Sequence, residues 1–110
     1  AFGSSNRPEI AKVLHEIGLI ERDLGKYDDA LATFDQVLNI DLSLSESEAS
    51  GETGKTLHEI ALTLCSKGDF ELGKKRFEEA VRAKELAFGT RKHPEVATSL
   101  YYLATLAYEK

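Results

Sequence analysis

The sequence predicts an all-α solenoid built from antiparallel helix pairs. Three observations carry this expectation: a long internal repeat, apolar residues at helical spacing in both halves of each repeat, and a glycine-centred turn between the halves. Leu14-His15-Glu16-Ile17 recurs as Leu57-His58-Glu59-Ile60, 43 residues on. Ala1-Phe2-Gly3 with Pro8-Glu9-Ile10 recurs at twice that distance, as Ala87-Phe88-Gly89 with Pro94-Glu95-Val96. Two independent matches at one period and its double define a repeat architecture.

The elements follow in chain order. Leu14, Ile17 and Gly18 mark the i, i+3, i+4 face of a first helix, which Pro8 opens at a position where a missing N–H costs nothing. Gly25 ends it, and a second helix follows with Tyr27, Ala30, Phe34, Val37 and Leu38 on one face. The second copy repeats the plan with Leu57, Ile60, Ala61 and Leu64, a turn at Gly68, then Phe70, Gly73, Phe77, Ala80 and Val81. Pro94 opens a last helix whose seam is Leu100, Leu103, Ala104 and Ala107. The predicted helices cover about 8–43, 53–88 and 94–110, so the chain holds about two and a half repeats within one domain over residues 1–110. Small residues at Gly18, Ala61 and Ala104 allow close helix approach, and Phe34 and Phe77 fill the space between helices. The chain has no initiating Met and stops inside an apolar-periodic stretch, so a fragment of a longer array is expected.

Composition narrows the function classes. Hydrophobic residues make up 42% of the chain and charged residues 30%, which fits an ordinary folded domain rather than a disordered one. No apolar run approaches the ~20 residues of a spanning helix. The N-terminus has neither the basic region nor the apolar core of a secretory signal, and the expected location is cytoplasmic. A net charge of −5 argues against nucleic acid or an anionic membrane as partner, despite the small basic cluster of Arg91, Lys92 and His93. The single cysteine, Cys65, excludes an internal disulfide framework.

The pattern of small and large residues resembles the tetratricopeptide repeat: Leu14, Ile17, Gly18, Gly25, Tyr27, Ala30 and Phe34 in the first copy, and Leu57, Ile60, Ala61, Gly68, Phe70, Gly73, Phe77 and Ala80 in the second. The period exceeds the usual ~34 residues. Together with the run from Phe88-Gly89 through His93-Pro94-Glu95-Val96-Ala97 to Leu100, it resembles the kinesin-light-chain-like class of long tetratricopeptide repeats. The resemblance implies a right-handed superhelical solenoid and a non-catalytic, protein-binding role. Two departures stand out. The segment from Ser43 to Gly54 lacks the Phe-Gly and His-Pro elements. Where first helices of that class often carry peptide-gripping asparagines, this chain has His15-Glu16, His58-Glu59 and Tyr101-Tyr102.

In such an architecture the first helix of each pair lines the concave face. With the seam residues buried, the outward positions are Lys12, His15, Leu19 and Arg22, then Lys55, His58, Leu62 and Cys65, then Tyr101, Thr105 and Tyr108. This mixture suits an extended or helical segment of a partner protein bearing acidic and apolar residues. Solvated helix surface accounts for the same positions. The rival reading is a homo-oligomer, formed through the seam of the last helix.

Other motifs weigh less. Ala49 to Thr56 fits a relaxed phosphate-loop pattern, which would need curled backbone amides after a buried strand. The preceding Ser45-Glu46-Ser47-Glu48 is acidic and has no strand character, and Thr53 reads instead as a helix cap. His15, His58 and His93 have no second ligand at zinc spacing, and Cys65 has no adjacent base. His93 is expected to cap or orient the last helix. Ser43, Ser45, Ser47 and Ser50 among glutamates suit either a modified linker or a plain solvated loop. No cofactor, metal or catalytic residue is expected, and the chain is read as a non-enzyme.

Overall fold

The computed structural model describes residues 7–43, 46–90 and 92–109, with side chains at 7–43, 51–90 and 92–106. The architecture is all-α: α1 (Arg7–Asp23), α2 (Tyr27–Leu42), α3 (Glu46–Lys67), α4 (Phe70–Phe88) and α5 (Pro94–Glu109). Among the described residues there is no strand. α1 packs on α2 and α3 on α4 as two hairpins, α2 packs on α3 to join them, and α5 lies on α4. The result is a slab of 50 × 34 × 18 Å, thin enough for two layers of helices ~10 Å across.

Both hairpin turns close the same way. The Lys26 amide donates to the Glu21 carbonyl and the Gly25 amide to the Arg22 carbonyl, each at 2.9 Å. In the second copy Asp69 donates to Leu64 at 2.8 Å and Gly68 to Cys65 at 3.0 Å. This paired closure needs a left-handed residue after the helix, supplied by Gly25 at φ +80° and Gly68 at φ +103°.

The core lies where α2 meets both first helices. Ala30, Phe34, Ile60 and Leu64 form its centre, with Leu19, Leu31 and Leu38 packed around them. Phe34 is fully buried, and a Cβ added at Gly18 would lie 2.6 Å from its ring. Phe77 is equally buried in the second hairpin. α5 docks through Val96 and Ser99, both fully buried, and through Tyr102, which stacks on Phe77 with ring centroids 5.5 Å apart.

Two expectations change. α3 begins at Glu46 rather than near residue 53, so most of the expected linker is helix and Thr53 lies inside it. The acidic start favours a helix N-terminus, and Gly54 lets α4 come close: a Cβ there would lie 2.6 Å from Lys84 Cγ. Ser47 and Ser50 are therefore helical, Ser43 follows α2 as its C-cap, and Ser45 is outside the described residues. The predicted seam of α5 is not what packs. Ala104 is exposed and Leu100 and Leu103 are half-buried, because no second helix covers that face among the described residues, and Ala107 lies outside the described side chains. At the start of α5, Glu95 N–H donates to His93 Nδ1 at 3.1 Å, so His93 caps this helix as expected.

Phe34→Ala removes the ring that joins α1, α2 and α3 and should cost about 3–5 kcal/mol. Gly18→Val should also destabilise, by about 1–3 kcal/mol, through overpacking against the same ring. Urea denaturation followed by circular dichroism measures both, and a loss below ~1 kcal/mol for Phe34→Ala would contradict this account of the core.

Candidate functional site

A cavity of about 360 Å³ lies between α1 and α3, with α2 as its floor. Pro8, Ala11, Lys12, His15 and Glu16 of α1 form one wall, Glu52 and Lys55 of α3 the other, and Val37 and Asp41 of α2 the base. This size sits at the lower end of ~300–1,000 Å³ for small-ligand sites, and suits one inserted side chain better than a large molecule.

Local sequence places these groups. Residues 30, 34, 37 and 41 share the buried face of α2, so the helix carries Asp41 into a core position. Asp41 is only 2% exposed, and its Oδ2 accepts a hydrogen bond of 2.9 Å from Thr56 Oγ1. Burial pushes its carboxyl above the ordinary range; Thr56 opposes this, Glu52 adds to it, and His15 lowers it slightly. The His15 ring meets the Phe34 ring edge-on at 5.6 Å. Lys12 and Lys55 are exposed at the rim, and Lys55 Nζ lies 4.0 Å from Glu52.

Of the residues singled out in the sequence, Lys12, His15 and Lys55 thus meet at one cavity. The others go elsewhere. Leu19 packs against the core cluster. Arg22 pairs with Glu59 at 2.5 Å and ties α1 to α3. Leu62 is half-buried. Cys65 faces α4, where a Cβ at Gly73 would lie 2.6 Å from its sulfur, and burial pushes its thiol up, away from a thiolate nucleophile. Tyr101 is 68% exposed, and Thr105 is exposed with its hydroxyl bonded to the Tyr101 carbonyl at 2.9 Å. Tyr108 lies outside the described side chains.

His58 is a correction to the expected outward face: it is 7% exposed. Its ring meets Phe77 and Tyr102 edge-on, at 5.2 and 5.3 Å. Nδ1 lies 2.8 Å from Ser99 Oγ, which also accepts from Lys84 Nζ at 3.0 Å. An ammonium only donates, which leaves the Ser99 proton for the unprotonated ring nitrogen. Tyr102 and α5 cover this histidine, whereas its equivalent His15 opens onto the cavity. Burial and the Lys84 charge lower the His58 pKa to about 4, against smaller opposing effects of Glu59 and Glu95.

Asp41, Glu52 and Thr56 were not anticipated. The available signal was a carboxylate at a core position of α2, in register with Ala30, Phe34 and Val37. The phosphate-loop pattern at 49–56 has no loop, since all eight residues are helical and their amides belong to α3. Among the described residues no three potential metal ligands converge, and no helix is long and apolar enough to cross a membrane.

Residues 11–43, which span most of α1 and all of α2, match the Tetratricopeptide repeat family. The match supports a tetratricopeptide-repeat protein. Such repeats generally act as non-catalytic scaffolds for protein–protein interaction. No curated protein and no solved structure matches the chain.

The buried histidine makes stability depend on acid. In the unfolded chain His58 takes a proton near pH 6.5, whereas in the fold it does so only near pH 4. Its contribution is therefore complete above pH 6.5 and lost as the pH falls toward 4, by up to about 3 kcal/mol. Urea denaturation between pH 7 and pH 4.5 should show this slope, and His58→Gln should flatten it. An unchanged slope in that variant would assign the acid sensitivity elsewhere.

Proposed function

We propose that the chain is a non-catalytic protein-interaction module that takes a peptide or helical segment of a partner on the concave face formed by its first helices. The cavity between α1 and α3 carries this reading. It gathers Lys12, His15 and Lys55, three positions selected as outward-facing from the repeat alone, around a buried carboxylate. A polar group held in a core at a cost to stability is a common mark of a binding site. The 43-residue period and the Phe88 to Leu100 segment support placing the array in the kinesin-light-chain-like long-repeat class. In the Lys12→Glu/Lys55→Glu variant both changes are at exposed positions, so folding should persist while the set of bound partners changes. Affinity capture with wild-type and variant chains tests this, and recovery of the same proteins by both would exclude the face as the working surface.

Self-association is a second reading, favoured by two exposed apolar surfaces. Ile10, Val13, Ile17, Ile20 and Leu24 run along α1 as one exposed stripe, with Ile20 57% exposed. α5 exposes Tyr101 and its half-packed leucines at the opposite end. Contact between the two ends of successive copies would be head-to-tail. Sedimentation should then reveal elongated dimers that Ile17→Glu disrupts, and a strictly monomeric chain at high concentration would rule the reading out.

A further inference from the structure

The two junctions between successive repeats can be compared position by position, because they are 43 residues apart. Asp41, Glu52 and Thr56 of the first junction correspond to Lys84, Glu95 and Ser99 of the second, and Ala11 corresponds to Gly54. In the second junction Lys84 is 2% exposed, with its stem laid over Gly54. Its ammonium donates to Ser99 Oγ at 3.0 Å and to the Glu95 carbonyl at 3.1 Å, and lies 3.8 Å from the Glu95 carboxylate. The junction thus holds a lysine as an internal cation among hydroxyl, carbonyl and carboxylate oxygens.

The first junction keeps the oxygens but replaces the lysine. Thr56 supplies the hydroxyl, Glu52 the carboxylate at the place of Glu95, and the short Asp41 side chain leaves the cavity open above it. The carboxylates of Asp41 and Glu52 repel one another there, with no internal cation bonded to Asp41 among the described contacts. Lys55 stays at the exposed rim beside Glu52, where water screens it, whereas charge at the buried floor is screened far less.

We infer that this cavity is a lysine-binding subsite, in which a lysine side chain from a partner protein enters between α1 and α3 and sets its ammonium between Asp41 and Glu52. The inference rests on the reading of this face as partner-binding, and it reverses the sign of partner expected from the rim lysines alone. The net charge of −5 acts in the same direction, by drawing cationic segments toward the chain. Lysine is chosen over arginine because the filled junction accommodates an unbranched stem and a single ammonium.

The test uses the 110-residue chain and pools of end-blocked octapeptides, randomised except for a central Lys, Arg, Glu or Leu, read by fluorescence anisotropy. The Lys pool should bind about tenfold or more tightly than the Glu and Leu pools, as expected for a hydrogen-bonded charge. Asp41→Asn keeps the Thr56 bond and should erase that preference. The double variant Ala11→Gly/Asp41→Lys reproduces the second junction, including the room that Gly54 gives the Lys84 stem. It should fold by circular dichroism and lose the preference as well. Binding without a lysine preference, a preference for Arg, or a preference that survives both variants overturns the inference. If such binding still falls in Lys12→Glu/Lys55→Glu, the partner-binding face stands and only the lysine subsite is lost. If no pool binds, both readings fall.

Discussion

The structure depends on one placement made twice: a fully buried phenylalanine in each second helix, Phe34 and Phe77. Phe34 closes over Gly18 of the first helix, where an added Cβ would lie 2.6 Å from the ring. Each ring also receives the edge of a histidine one turn earlier on the first helix, His15 or His58. These contacts fix the separation of the helices within a hairpin. They also place Ala30 and Phe34 where Ile60 and Leu64 of the next repeat can reach them. The spacing inside a hairpin thereby sets the spacing between hairpins, which is how a local rule becomes a solenoid.

Each first helix consequently has two faces to cover, one by its own hairpin partner and one by the second helix before it. Positions equivalent to Ile17 show the effect. Ile60 is buried in the cluster that includes Phe34 of α2, whereas Ile17 is 41% exposed because among the described residues no helix lies across that side of α1. Position 56 and its equivalent 99 belong to the same face, and both are fully buried against the preceding second helix. Thr56 and Ser99 are polar there because each answers a polar residue opposite, Asp41 or Lys84.

Much of this was legible in the sequence. The period, the two helices per repeat and the glycine turns are all short-range patterns, and short-range patterns survive without knowledge of tertiary contacts. The start of α3 was not legible, since serines and glycines at 43–54 suggest a loop when read locally. The helix persists there because α4 approaches closely at Gly54, a tertiary effect that local propensity does not contain. The outward face was read with partial success for a related reason. Lys12, His15 and Lys55 do line a cavity, but the second-repeat equivalent of His15 is covered by α5, where His58 disappears beneath Tyr102. A repeat makes positions equivalent in register; burial depends on what each repeat has beside it.

The exchange of Asp41 for Lys84 at one core position explains why two such similar junctions need not be interchangeable. An apolar residue at this place would stabilise any pairing of repeats to a similar degree. A buried carboxylate favours a neighbour that offers a hydroxyl, as Thr56 does, and a buried ammonium favours one that offers oxygen acceptors, as Ser99 and Glu95 do. Removing one member of such a set leaves a polar group unsatisfied, which typically costs about 1–3 kcal/mol and more for a charge. Burial raises the Asp41 pKa and lowers that of Lys84, so both charged forms are held against a desolvation penalty. The filled junction offsets that penalty with oxygens from α5 around the ammonium. The open one offsets it only in part, through a single hydroxyl. Of the two, the first junction therefore has the more to gain from a group arriving from outside.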